Sequence, residues 1–251
     1  MTTEPTEQPA SARIYNYLLG GKHFFPQDRT VGDQLNSVAP FARMARLNRA
    51  FLRFAVTTMA GRGIHQFVDL GSGIPSAYPV HEVASEATVV YVDNDPIAVR
   101  HSAEILDGIA RADIVDGDLR DPDAILDSPQ VRRLIDVGEP VGLLLLGVVQ
   151  YIPDSGDPAG LIARYLDRLA PGSMLALTHF TQDNNEAEMA AAIEFFSRTA
   201  SPMTPRRHAE VAALVAGRDL VPPGVEFTAR WLPGYDEPER CGHYAVIAIR
   251  G

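Results

Sequence analysis

The feature that most constrains the fold is a series of five short apolar segments that alternate with helical patterns. The apolar segments have the length and β-branched content of buried strands and lie at residues 66–70, 88–92, 112–115, 141–149 and 173–178. Helical patterns fill the intervals, at residues 80–85, 96–107, 122–127, 130–134 and 158–169. Strands that are apolar throughout, joined by helices, are typical of a parallel sheet covered on both faces. The pattern therefore predicts an α/β, doubly wound fold.

The chain before this series has a different character. Residues 1–10 are polar and contain proline, which predicts a disordered tail. Residues 11–60 read as a helical segment that ends in a strongly amphipathic helix at 41–60. One face of that helix carries a row of arginines, which is either solvated or attracts a carboxylate or phosphate: Arg43, Arg46, Arg49 and Arg53.

The chain after the series predicts two helices and two strands. The helical patterns lie at residues 184–199 and 206–216, and the strand-like runs lie at 225–231 and 244–249. No helix separates the two strands, so we predict a hairpin whose final strand enters the sheet antiparallel.

The composition excludes several classes of protein. The formal net charge of −10 argues against broad nucleic-acid binding, which usually requires a basic footprint. The longest apolar stretch, at 141–149, is far shorter than the roughly 20 residues of a membrane span. The single cysteine, Cys241, allows no internal disulfide, and no basic, apolar leader is visible. We therefore expect a cytoplasmic protein that binds neither nucleic acid nor membranes.

The end of the first predicted strand is the most informative segment, because Asp69 is followed there by a Gly71-Ser72-Gly73 turn. Ligands of an open parallel sheet bind beyond the carboxyl ends of strands, where glycines let the backbone approach closely. A dinucleotide site would need Gly or Ala where this chain has Ser76, and Asp69 would repel a pyrophosphate. Asp69 instead suits a ligand with a positive end.

The next two strands also end in carboxylates. Asp93 lies 24 residues after Asp69, close to the spacing at which an acidic residue binds ribose hydroxyls. Asp118, with Asp116 as the alternative, can accept a hydrogen bond from the exocyclic amine of adenine. The implied ligand is an adenosine that carries a cationic amino-acid moiety, which predicts S-adenosylmethionine as the cofactor.

Several motifs resemble those of known families. The series DLGSG, YVDNDP, DGDL and LLLLGVVQYIPD resembles the class I S-adenosylmethionine-dependent methyltransferases. From residue 11 to 250, SARIYNYLLGGKHFFPQDR, NRAFLR, QFVDLGSGIPS, RWLPGY and GHYAVIAIR resemble one bacterial family of S-adenosyl methyltransferases. The resemblance implies a Rossmann-like methyltransferase fold: a mostly parallel, seven-stranded sheet with an antiparallel last strand. It also implies a catalytic domain at 61–251, with 11–60 as an N-terminal helical extension.

The resemblance further implies which residues bind the cofactor. They are Asp69, Gly71, Ser72, Gly73, Asp93, Asn94, Asp118, Leu119 and Gly147. Asp69, Gly71 and Gly73 cradle the methionine part, Asp93 binds the ribose, and Asp118 faces the adenine amine. One departure from the wider class is Pro75, where many members have a third glycine.

The N-terminal segment is predicted to fold over the cofactor as a lid. In this hypothesis Tyr15 belongs to the cofactor site, and Arg49 or Lys22 lies near the methionine carboxylate. Tyr151 and His179 are the candidate general bases, and a base is needed only if the acceptor loses a proton during attack.

The predicted reaction is in-line methyl transfer to a small-molecule acceptor, with neither a metal nor a covalent enzyme intermediate. An alternative is a protein that binds S-adenosylmethionine as a sensor or structural partner without methyl transfer. A nicotinamide oxidoreductase is disfavoured by Asp69 and Ser76.

Overall fold

A computed structural model describes residues 9–75, 77–183, 186–197, 202–235 and 242–251. The predicted disordered tail lies almost entirely outside the described residues, and Ser76 and Cys241 lie outside them as well. None of the described helices is both long enough and apolar enough to cross a membrane.

The described residues form one mixed sheet of eight strands. The strands are β1 Gln66–Leu70, β2 Thr88–Asp93, β3 Ala112–Asp116, β4 Gly142–Leu146, β5 Met174–Phe180, β6 Asp219–Leu220, β7 Glu226–Phe227 and β8 His243–Ile249. Their order is β3-β2-β1-β4-β5-β8-β6, and β7 pairs with β8. Strands β1 to β5 are mutually parallel, whereas β8 is antiparallel to β5. The predicted α/β class and the antiparallel final strand are confirmed.

Ten helices connect and cover these strands within the described ranges. They are α1 Ser11–Leu18, α2 Pro26–Val38, α3 Phe41–Ala60, α4 Val80–Val83, α5 Pro96–Leu106, α6 Pro122–Leu126, α7 Pro129–Leu134, α8 Pro158–Arg168, α9 Glu186–Ser197 and α10 His208–Leu214. Several begin with a proline in the first turn, preceded by an Asp or Ser whose side chain accepts a backbone N–H, as Asp95 does for α5. Consecutive buried residues along β1, β2 and β4 show that both faces of the sheet are covered.

The predicted hairpin is shorter than expected. Only Glu226 and Phe227 pair with β8, and residues Thr228–Trp231 form a 3-10 helix. Side chains replace the missing strand pairing: the Thr228 hydroxyl donates to the His243 carbonyl, and the Trp231 indole donates to the Ala245 carbonyl. The prediction of a strand over 225–231 was therefore wrong beyond its first residues.

The N-terminal helices and α9 pack into an apolar cluster that is separate from the core around the sheet. Its buried members include Ile14 and Leu18 of α1, Leu35 of α2 and Met44 of α3. Helix α2 falls within the predicted helical segment at 11–60, but it was not predicted as a separate helix, because its sequence is mostly polar. It is held by Asp28, which is fully buried and accepts hydrogen bonds from three directions: the Ala10 and Phe25 amides and the Arg13 guanidinium.

Candidate active site

A cleft of about 570 Å³ opens at the carboxyl ends of the parallel strands. This is where ligands bind in open α/β sheets. The loops after β1, β2, β3 and β4 contribute to its lining, and helices α1 and α3 close it from the N-terminal side. The structure brings together all the residues predicted to bind the cofactor: Tyr15, Arg49, Asp69, Gly71, Ser72, Gly73, Asp93, Asn94, Asp118, Leu119 and Gly147.

The turn after β1 is fixed by its backbone. The amides of Gly71 and Ser72 both donate to the Val92 carbonyl, at 2.8 and 3.0 Å. Gly71 has φ +66°, and a Cβ atom there would lie 2.3 Å from the Val148 side chain. Both the left-handed backbone and the close approach of the β4 loop therefore require glycine at position 71.

Asp93 at the end of β2 ties the same turn to α5. One carboxylate oxygen accepts from the Gly73 amide at 2.7 Å, and the other accepts from the Asp95 amide at 2.9 Å. Burial raises the pKa of Asp93, and the backbone donors act in the opposite direction. A carboxylate has about four acceptor sites, more than its backbone donors occupy, so Asp93 can also accept a hydrogen bond from a ligand hydroxyl.

Asp69 and Arg49 place opposite charges in the buried part of the cleft. Burial raises the pKa of Asp69 to about 7, the nearby Arg49 guanidinium lowers it, and the Asp93 carboxylate raises it further. No hydrogen bond among the described residues involves the Asp69 carboxylate. Arg49 lies over the Tyr15 ring at 5.6 Å, and its buried Nε has no hydrogen-bond partner. Buried polar groups normally find partners, so the pair suits a ligand that brings an ammonium and a carboxylate.

Asn48 joins helix α1 to the sheet beneath this pair. Its Nδ2 donates to the Tyr15 hydroxyl at 3.0 Å, and its Oδ1 accepts from the Thr178 hydroxyl at 2.7 Å. The Tyr15 hydroxyl in turn donates to the Ala45 carbonyl at 3.2 Å. Sequence reasoning missed Asn48, although its place one residue before Arg49 on the same helix was a usable signal.

Of the two carboxylates proposed to face the adenine, only one lies in the cleft. Asp118 lines the cleft, whereas Asp116 is exposed and lies outside it. The Arg120 side chain binds Asp118 through both of its oxygens and lowers the pKa of Asp118. Asp118 therefore reaches the cleft as an ionised, partly exposed group that already has a cationic partner.

Tyr151 lines the cleft as a neutral phenol. Burial raises its pKa to about 12, and the side chains of Gln150 and Ser11 lie beside its hydroxyl. Near pH 7 the group therefore keeps its proton, so it can donate a hydrogen bond but is poorly suited to act as a base.

His179 is not brought to the cleft. It is fully buried, its Nδ1 donates to the Phe180 carbonyl at 2.8 Å, and its Nε2 accepts from Arg206 at 2.9 Å. Burial lowers the pKa of His179 to about 3, so the ring is neutral. With both nitrogens engaged, His179 offers none to a substrate, and the position does not support the predicted role as general base.

Three aromatic residues of the cleft were missed by sequence reasoning: Phe180, Phe196 and His243. Phe180 and His243 face each other across the β5–β8 pairing, with ring centroids 3.9 Å apart. Phe180 lies just past the predicted end of the fifth strand, and His243 just before the predicted start of the last. No group of three or more potential metal ligands occurs within the part of the chain that the structure describes.

Comparison with known proteins gives a consistent result. The family described as S-adenosyl methyltransferase matches residues 3–251. No curated protein matches significantly.

Solved structures share the fold over almost the whole chain. A DUF574 family protein from Streptomyces avermitilis is 34% identical with a TM-score of 0.93, covering 98% of this chain and 99% of its own. A candidate methyltransferase from Thermobifida fusca is 33% identical with a TM-score of 0.90, covering 97% and 95% respectively. The N-methyltransferase NodS from Bradyrhizobium japonicum, in complex with S-adenosyl-L-homocysteine, is 12% identical with a TM-score of 0.55, covering 95% and 98%.

Asp69→Asn is expected to flatten the pH dependence of stability in the ligand-free protein. A carboxyl whose pKa rises from 3.8 to about 7 on folding keeps its proton where the unfolded chain has lost it. The protonated carboxyl therefore makes its whole contribution to the free energy of unfolding below about pH 4. This contribution, at most about 4 kcal/mol, is lost as the pH rises through 7. Urea denaturation between about pH 4 and 8 measures this slope. Asp116→Asn, at an exposed carboxylate, is the control, and an unchanged slope in Asp69→Asn contradicts the assignment.

Proposed function

The chain belongs to the S-adenosyl methyltransferase family, and from this premise we propose that it transfers the methyl group of S-adenosylmethionine to a small molecule bound in the same cleft. The observation that carries the proposal is that two buried side chains of opposite charge line the cleft: Asp69, whose pKa burial raises to about 7, and Arg49, whose Nε has no hydrogen-bond partner. An amino-acid moiety carries one ammonium and one carboxylate, so it complements both groups.

The cofactor fits the residues present. We assign the methionine ammonium to Asp69 and its carboxylate to Arg49, because charge-assisted hydrogen bonds are the strongest available to each group. The ribose hydroxyls are assigned to Asp93, whose carboxylate has acceptor capacity beyond its backbone donors. Asp118, Leu119 and Asn94 are assigned to the adenine, since they line the cleft beyond Asp93.

The chain's own contribution to the reaction is alignment and exclusion of water. When bound, S-adenosylmethionine would supply a methyl group on a sulfonium, already activated for transfer to an acceptor lone pair, and the carbon–sulfur electron pair would remain on sulfur. Tyr151 is the proposed catalytic residue, as a neutral hydrogen-bond donor that orients the acceptor. His179 is assigned a positioning role through Arg206, which donates to the Ile152 carbonyl beside Tyr151.

Helix α1 is proposed to act as a lid. A Cβ atom at Gly73 would lie 3.7 Å from the Cβ of Ala12, so the helix lies over the glycine turn. Arg13 is buried and bridges Asp28 of α2 and Asp95 of the α5 cap, at 2.8 and 3.5 Å. The lid is therefore fastened next to the proposed ribose site.

Asp69→Asn is expected to weaken S-adenosylmethionine binding by about 10- to 100-fold, the range for losing one charged hydrogen bond. Isothermal titration calorimetry on the purified protein measures the affinity. Asp116→Asn removes a carboxylate at the end of β3 that lies outside the cleft, and it should bind normally. Normal binding by Asp69→Asn, or equal weakening in both variants, contradicts the assignment.

S-adenosyl-L-homocysteine is expected to slow trypsin cleavage after Lys22, because a ligand held beneath α1 opposes its local opening. Lys22 is exposed just after that helix. Cleavage after Arg62, which is exposed in the turn after α3, provides an internal control that the ligand should leave unchanged. Equal cleavage rates at Lys22 with and without the ligand contradict the lid.

A further inference from the structure

The acidic side chains of the cleft all lie on one side of it. Asp69, Asp93 and Asp118 follow β1, β2 and β3, which occupy one half of the sheet. The other side is formed by the part of α1 that carries Ile14, the loop after β4, β5, α9 and β8, and we call it the aromatic half. Its main side chains are Ile14, Gln150, Tyr151, Phe180, Phe196 and His243. Among the described lining residues of the aromatic half, none is Asp, Glu, Lys or Arg. Arg49 of α3 lies between the two halves of the cleft.

Rings from four separate elements line the aromatic half. Phe180 of β5 packs on His243 of β8 at 3.9 Å, and Phe41 of α3, which is outside the lining, lies 5.9 Å from Phe180. Tyr151, after β4, lies 6.5 Å from Phe196 of α9. Aromatic rings at such distances gain energy from a further ring placed against them, so the surface favours a flat, apolar ligand.

A charged ligand group would be poorly accommodated here. Moving an ammonium or a carboxylate out of water costs several kcal/mol unless an opposite charge and hydrogen bonds compensate it. The described lining of the aromatic half provides no fixed charge of either sign, unlike the half that contains Asp69 and Asp93.

One polar group marks where a ligand donor would go. Gln150 is 1% exposed, and its Nε2 donates to the Gly147 carbonyl at 2.5 Å. Its Oε1 is buried without a hydrogen-bond partner. A buried acceptor of this kind normally receives a hydrogen bond, so the ligand is expected to bring one O–H or N–H.

We propose that the aromatic half binds the methyl acceptor, and that this acceptor is an uncharged, flat, largely apolar molecule with one O–H or N–H directed at Gln150. The inference rests on the proposed function, because it takes the acceptor to share the cleft with the cofactor. Phe180 is then a specificity-determining residue, since its ring faces the cleft from the end of β5.

Three ligands of matched shape and different charge test the proposal: 2-naphthol, 2-naphthoate and 2-naphthylmethylammonium. Each is titrated near pH 7 into the full chain saturated with S-adenosyl-L-homocysteine, and binding is measured by calorimetry. We expect 2-naphthol to bind at least about tenfold more tightly than either charged ligand. In Phe180→Leu, which keeps an apolar side chain but removes the ring, 2-naphthol should bind about fivefold more weakly. Tyr78→Leu, at an exposed aromatic residue outside the cleft, is the matched control and should bind 2-naphthol normally.

Three outcomes overturn the inference. They are equal or tighter binding of a charged ligand, no detectable binding of 2-naphthol, and an unchanged 2-naphthol affinity in Phe180→Leu. The saturating titration with S-adenosyl-L-homocysteine separates this inference from the proposed function. If that titration fails, the proposed function fails; if it succeeds and the order of the three ligands is wrong, only the acceptor class fails.

Discussion

The site depends on one electrostatic arrangement, a carboxylate and a guanidinium that are both buried at the cleft, Asp69 and Arg49, with no hydrogen-bond partner for the Arg49 Nε. Asp69 is placed by β1, a central strand whose five residues are all buried, and Arg49 is placed by the longest helix. Burying two charges costs several kcal/mol unless partners compensate them. In the ligand-free protein this cost appears as a pKa of Asp69 that burial raises to about 7. A zwitterionic ligand would offset the cost of burying these charges. Binding of the cofactor would therefore stabilise the site.

The rest of the cleft is arranged around this pair by the sheet topology. Strands β2 and β3 lie on one side of β1 and end in carboxylates. On the other side, β4 ends in Leu146, β5 ends in Phe180, and the antiparallel β8 begins at this edge with His243. The same edge of the sheet therefore presents a charged surface that suits the cofactor and an uncharged surface for a second ligand. Helix α1 spans both, because Ala12 lies over the glycine turn while Ile14 and Tyr15 line the cleft.

Residues at the ends of parallel strands could be predicted from the sequence, because strand ends and glycine turns are local signals. Asp69, Asp93 and Gly71 belong to this class. The failure at His179 has a simple geometric cause. Strand β5 continues through Phe180, and side chains on a strand alternate between its faces. Thr178 and Phe180 therefore face Asn48 and the cleft, while His179 points away toward Arg206. Helix α2 was not predicted as a separate helix for a different reason: it has few apolar residues, and long-range hydrogen bonds to Asp28 hold it in place.

A crystal structure of the protein with S-adenosyl-L-homocysteine tests the central claim most directly. We predict that the ligand's amino-acid end lies between Asp69 and Arg49, that its ribose contacts Asp93, and that the aromatic half stays open beside the sulfur atom. A ligand bound with its amino-acid end away from Asp69, or one whose adenine fills the space between Phe180 and Tyr151, would contradict it.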